Sequence, residues 1–147
     1  MDSDHIWKGP HEERDPWREW IRKNILGGPE GYVFEDFDLV PWLVSRRYWR
    51  ISDPIGKFML IEKKYGNSIM ETAQIRTFGL IDHTLRKGDP KRKRYMGFYL
   101  FQYPDEDPWK CTQVTVNSKT ITIDEFKRFL TFDLDIPPYE FSYYFNK

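Results

Sequence analysis

The spacing of apolar positions changes period along the chain, and each change predicts an element. Trp17, Trp20, Ile21 and Ile25 recur three or four residues apart, which predicts an amphipathic helix from about His11 to Leu26. Asp15 stands as its cap and Pro16 at its first helical position, and Gly27-Gly28-Pro29 stops it. From Gly31 to Val44 and again from Tyr48 to Ile51 the chain is rich in Val, Phe, Leu and Trp, which predicts strands, with Ser45-Arg46-Arg47 as a turn and Pro41 marking an edge or bulge. Asp53-Pro54-Ile55-Gly56 is a second turn, and Lys57 to Tyr65 a strand whose apolar run Phe58 to Ile61 is expected to be buried.

A helical period returns next. Ala73, Thr77, Leu80, Ile81, Thr84 and Leu85 share one face, and Ser68 with Glu71 has the spacing of a capping box, so the helix is expected to open at Asn67-Ser68 and close at Gly88 to Pro90. Tyr95 to Tyr103 is almost unbrokenly apolar, as in a central strand covered on both faces. After a polar loop from Pro104 to Pro108, Thr112 to Val116 and Thr120 to Ile123 flank Asn117-Ser118 as a hairpin. Thr122 and Glu125 repeat the capping-box spacing before a short helix bearing Phe126, Phe129 and Leu130. Tyr139 to Phe145 reads either as a last strand or as a segment lying over the core. The order is that of an α/β (α+β) chain with a mixed central sheet of four or more strands, a C-terminal hairpin and a short helix: a flexible tail over residues 1–10 and one domain over 11–147.

Composition narrows the class. With 147 residues there is room for one core, and 18% aromatics supply large buried rings. The single cysteine, Cys111, excludes an intrachain disulfide and a multi-cysteine zinc site. His5, His11 and His83 lack ligand spacing, and nothing beside Cys111 lowers a thiol pKa. No stretch is apolar enough for a membrane span and residues 1–15 carry no apolar leader, so a cytoplasmic protein without a membrane partner is expected. The net charge of +0 hides a layout: residues 1–40 carry −5, residues 41–100 carry +8 and residues 101–147 carry −3. Screening acts over about 8 Å, so the basic middle can attract a polyanion despite the neutral total. Its densest run, Lys87 to Arg94, offers Lys87, Lys91, Arg92, Lys93 and Arg94 to a phosphate backbone, or stands as a solvated loop.

Two expected strands carry acids where apolar residues would be cheaper. Asp36 and Asp38 share one strand face by alternation, and so do Glu62 and Lys64. If the strands pair, Asp38 and Glu62 can converge beside Lys64. Two carboxylates at such range repel unless a cation lies between them, and a hard divalent ion takes oxygen ligands in this way. A metal there lowers the pKa of a bound water, and the lysine neutralises developing phosphate charge. The alternative is that Asp38 and Glu62 form ordinary salt bridges with Arg46, Arg47 or Lys64.

Asp38, Glu62-Lys63-Lys64 on a following strand, and a helix bearing Gln74 together resemble the PD-(D/E)XK nuclease superfamily, over roughly Trp17 to Tyr103. Gly31 to Leu43 with its Asp-x-Asp, and the Ala-Gln of the crossover helix, look most like small phage or prophage members. The resemblance implies a restriction-endonuclease-like core and a Mg²⁺ or Mn²⁺ dependent nuclease acting on DNA, located in the host cytoplasm if phage-encoded, with a homodimer left open. It makes Asp38, Glu62 and the carbonyl of Lys63 metal ligands, Lys64 the catalytic lysine and Gln74 a further catalytic residue. Glu12, Glu13 or Glu19 would be the first-helix acid found in some branches. Phe37 stands where the family has proline before the first Asp, and near-neutral charge departs from most DNA-cutting relatives. Met96 to Phe101 also faintly resembles the aromatic strand of an RRM-like module, which would make the chain a non-catalytic nucleic-acid binder with Tyr99 as a stacking ring. A third alternative is a nuclease fold that has lost activity and serves as an interaction protein.

Overall fold

The computed structural model describes residues 16–25, 32–36 and 48–141. Its elements in chain order are α1 (Pro16–Asn24), β1 (Val33–Asp36), β2 (Tyr48–Ser52), β3 (Phe58–Tyr65), α2 (Thr72–Gly88), β4 (Tyr95–Tyr103), a 3₁₀ turn (Pro108–Lys110), β5 (Gln113–Val116), β6 (Lys119–Thr122) and α3 (Ile123–Leu130). All six strands join one sheet in the order β1-β2-β3-β4-β5-β6. Among the described strands β3 and β4 pair in parallel and every other pair is antiparallel. A parallel pair needs a crossover connection, and α2 supplies it. The architecture is α+β with a mixed, open sheet.

Each face of the sheet has its own core. On one, Trp17, Trp20 and Ile21 of α1 and Phe126, Phe129 and Leu130 of α3 pack on Trp49, Ile61, Phe101 and Val116. On the other, Phe78 of α2 packs on Leu60, Phe98 and Leu100, with Met70 and Phe141 closing the cluster. The inner strands β3 and β4 are therefore covered on both sides, which explains their long apolar runs. Residues 139–141 lie over the core as coil, not as a strand: the Tyr139 amide donates to Phe98 O at 2.7 Å.

Several local expectations hold. Pro16 opens α1. Asn117 and Ser118 both have positive φ (49° and 67°), which gives a two-residue hairpin turn whose twist matches its strands. At α3 the capping box is complete, with Glu125 N donating to Thr122 Oγ1 at 3.1 Å and Thr122 N donating to Glu125 Oε1 at 3.0 Å. The start of α2 differs from expectation. The helix begins at Thr72 and not at Ser68, with Glu71 as its N-cap. Met70 before the cap and Ile75 in the first turn belong to the same apolar cluster, a hydrophobic staple that outweighs the Ser68 signal.

The RRM-like alternative is corrected here. Phe98, Tyr99 and Phe101 are buried, and the Tyr99 hydroxyl donates to Ile136 O at 2.9 Å, so these rings have no face to offer a base. The strand order also follows the chain without the rearrangement an RRM needs.

Candidate functional site

The charged residues of β3 divide between the two faces. Lys63 lies on the α1 side, its Nζ 5.3 Å from the centre of the Trp49 ring and 5.6 Å from that of Tyr103, a pair of cation–π contacts in a desolvated setting. Glu62 and Lys64 lie on the α2 side, 0% and 6% exposed, with Lys64 Nζ 3.4 Å from Glu62 Oε1. Ion pairs this deeply buried lose much of their attraction to desolvation, so apolar residues would serve stability as well or better. The backbone register aligns Glu62 with Tyr48 on one side and Leu100 on the other, and Lys64 with Gln102.

Beyond Gln102 the sheet opens. One cross-strand row runs Lys64, Gln102, Thr115, Thr120 over β3, β4, β5 and β6. The last three residues border a cleft of about 520 Å³ beside the Gly66-Asn67 turn that follows β3. This volume lies within the ~300–1,000 Å³ range of ligand sites. The Gly66 amide donates to Tyr103 O at 2.8 Å, and Gln102 Nε2 donates to Ser68 O at 2.9 Å, so the turn is tied to the strand it overhangs.

Other residues of the expected site fall elsewhere. Asp38, Glu12 and Glu13 lie outside the described residues, as do Arg46 and Arg47. Glu19 is exposed on α1 and pairs with Lys23 at 3.7 Å. Gln74 works in the first turn of α2, where its Oε1 accepts the Glu71 amide at 2.9 Å. Alignment of β1 with β2 and β3 puts Asp36 in the row of Trp49 and Ile61, and Glu35 in the row of Arg50 and Leu60. Glu35 is thus the β1 acid in the row two residues before Glu62, a point that only the register reveals. Among the described residues, no group of three or more His, Cys, Asp or Glu side chains could hold a metal ion.

The basic run is not next to Lys64. Because β3 and β4 are parallel, the loop from α2 to β4 emerges at the starting end of both strands, beside Phe58. At about 3.3 Å per residue, Glu62 and Lys64 lie roughly 13–20 Å further along the strand. Two of the five bases are also engaged. Between Phe58 and Met59 the pairing with β4 shifts by one residue, leaving Met96 as a bulge. Arg92 donates to the Met96 carbonyl from Nε (3.1 Å) and Nη2 (2.8 Å), and Arg94 donates to Ile55 O at 3.1 Å. Asp89 folds the loop by accepting the amides of Lys93, Arg94 and Tyr95 at 2.7–3.0 Å, which holds its carboxyl below the usual range. Lys87, Lys91 and Lys93 remain exposed.

No family model, curated protein or solved structure matches this chain. Its chemistry has to be argued from the residues. No helix among the described residues is long and apolar enough to cross a membrane. Cys111 is partly buried, its thiol directed at the carbonyls of Asp105 and Asp107, and burial pushes its pKa up, away from nucleophile chemistry.

A second buried carboxylate serves the fold. Asp82 on α2 accepts the Tyr95 hydroxyl at 2.6 Å and pairs with Arg86 at 2.9 Å, while Arg86 Nη2 donates to Tyr139 O at 2.9 Å. The cluster ties α2, β4 and the segment around Tyr139 together. Burial raises the Asp82 pKa despite the Tyr95 hydrogen bond and the Arg86 charge. The folded state therefore holds this proton to higher pH than the unfolded chain, and its contribution to stability falls as pH rises from about 4 through the raised value. Urea midpoints between pH 3.5 and 7, compared for wild type and Asp82→Asn, should show the wild type losing ground relative to the variant as pH rises. A wild type that gains on the variant as pH rises would contradict the assignment.

Proposed function

We propose that the chain is a metal-dependent nuclease that hydrolyses phosphodiester bonds of DNA. The observation that carries this reading is the buried Glu62–Lys64 pair on an inner strand, beside an open polar cleft, at the carboxyl end of the parallel β3–β4 unit. In open sheets with parallel strands, ligands collect at that end. The element order supports it as well: a helix, three antiparallel strands, a crossover helix and a parallel fourth strand are the parts implied by the resemblance to the PD-(D/E)XK superfamily and its restriction-endonuclease-like core.

In this reading Glu62 and the Lys63 carbonyl would hold a Mg²⁺ or Mn²⁺ ion together with a carboxylate from elsewhere in the chain, for which Asp38 is the candidate that the sequence offers. When bound, the ion supplies an acidified water and a counter-charge for the phosphate. Lys64, 3.4 Å from the Glu62 carboxylate, would orient the attacking water and offset charge on the phosphorane-like transition state. Gln74 acts as a positioning residue, fixing where α2 starts. Lys87, Lys91 and Lys93 are the bases left to contact DNA backbone, at the far end of β3. Purified protein incubated with single-stranded, duplex and branched DNA in Mg²⁺ or Mn²⁺ should cut at least one of them, and chelation or Glu62→Gln should bring cleavage to the level of buffer alone. Equal cleavage by wild type and Glu62→Gln would overturn the reading.

A further inference from the structure

The cleft beside Lys64 is lined differently from a phosphate-binding surface. Asn67, Gln102, Gln113, Thr115, Ser118 and Thr120 border it, and among the described residues no lysine or arginine lines it. Neutral amides and hydroxyls both donate and accept, which matches the edge of a base or a sugar; phosphate would call for cations. The row from Lys64 through Gln102 to Thr115 and Thr120 steps across adjacent strands about 4.8 Å apart, so the cleft floor starts one strand from the lysine and runs away from it. Gln102 is fixed by the bond from its amide nitrogen to Ser68 O, which leaves its side-chain oxygen for a ligand N–H. Thr115 and Thr120 are directly paired neighbours on β5 and β6. The volume of about 520 Å³ suits one unstacked nucleotide and is too small for a duplex.

We infer that this cleft receives an unpaired nucleotide of the substrate, making single-stranded DNA or a single-stranded end the preferred ligand; the inference rests on the nuclease reading for the identity of the ligand. Bases on intact duplex are stacked and paired, so their Watson–Crick edges cannot reach a recessed polar wall, whereas an unpaired base can turn into it. The phosphate following that base would then lie toward Lys64.

Binding without chemistry tests this. Fluorescence anisotropy with a labelled 16-residue oligothymidine, in EDTA, should show saturable binding by wild type that is at least 10-fold tighter than binding to a duplex of the same length. Thr115→Val and Thr120→Val keep strand-favouring shape and remove only hydroxyls, so both should fold as wild type does by circular dichroism; each should weaken oligothymidine binding about 3- to 10-fold and leave duplex binding unchanged. Gln102→Ala should act in the same direction. Equal affinity for single strand and duplex, no binding to the oligothymidine, or variants that bind it as wild type does would each overturn the inference. The nuclease reading fails separately: single-strand binding through the threonines without Glu62-dependent cleavage sinks the enzyme and leaves the cleft, while Glu62-dependent cleavage with no threonine effect sinks the cleft alone.

Discussion

Glu62→Ala is expected to lower stability by about 3–5 kcal/mol and to abolish metal-dependent cleavage, whereas Glu62→Leu combined with Lys64→Met is expected to recover the stability and leave activity abolished. The single change leaves the Lys64 ammonium, 6% exposed, facing a site from which its carboxylate partner at 3.4 Å has gone. An isolated buried charge either stays at high cost or sheds its proton, and both weaken the fold. The double change removes both charges and fills the space with side chains of similar size, next to Leu60 and Leu100 on the apolar α2 side of the sheet. Buried pairs replaced in this way are often neutral or stabilising by 1–4 kcal/mol. Urea unfolding of the two singles, the double and wild type gives the four corners of a cycle, and cleavage of DNA is read on the same four proteins. Recovery of stability without recovery of activity marks the pair as kept for chemistry. A double variant as unstable as Glu62→Ala would instead make the pair structural, which is the ordinary salt-bridge reading of these residues.

Period and punctuation were sufficient for most of the described elements. Helical spacing at Trp17, Trp20 and Ile21, the Thr122–Glu125 cap and the Asn117-Ser118 turn are local features, and each appears where its residues predict it. The start of α2 was misplaced because two overlapping capping boxes, Ser68–Glu71 and Glu71–Gln74, fit the same stretch; the choice was made by Met70 and Ile75 meeting in the core. That staple was visible in the spacing of the two apolar residues.

Site geometry was less legible. Glu62 and Lys64 share a face by alternation alone, so their pairing could be foreseen. The distance from Lys64 to the Lys87–Arg94 run could not be judged from its closeness to the helix, because a parallel crossover returns the chain to the opposite end of the strand. Nor could the engagement of Arg92, since the carbonyl it holds belongs to a bulge at Met96 that exists only once β3 and β4 are in register. The polar row through Gln102, Thr115 and Thr120 was hidden for the same reason. These residues are separated in sequence and become one surface through strand pairing.

Phe101→Ala is expected to cost about 3–5 kcal/mol, which for a chain of this length lowers the thermal midpoint by roughly 10–15 °C. Phe101 is fully buried where both helices of one layer meet the sheet: its ring centre is 4.6 Å from that of Phe126 on α3, 5.1 Å from Trp17 on α1 and 5.8 Å from Trp49 on β2. Stacked and edge-to-face rings of this kind add about 0.5–1.5 kcal/mol per pair beyond their burial. Rigid neighbours cannot collapse into the space, so the cavity term is close to its upper range. Ile69→Ala removes an apolar side chain that is 71% exposed and should change stability by less than about 0.5 kcal/mol. Calorimetry on the two variants separates burial from hydrophobicity as the source of stability. Phe101 is aligned with Lys63, immediately before the Lys64–Gln102 pair, so the α1 and α3 layer that this ring anchors also holds β3 and β4 in the register on which the polar row depends. A loss below about 1 kcal/mol for Phe101→Ala would mean that the aromatic junction does not set that register.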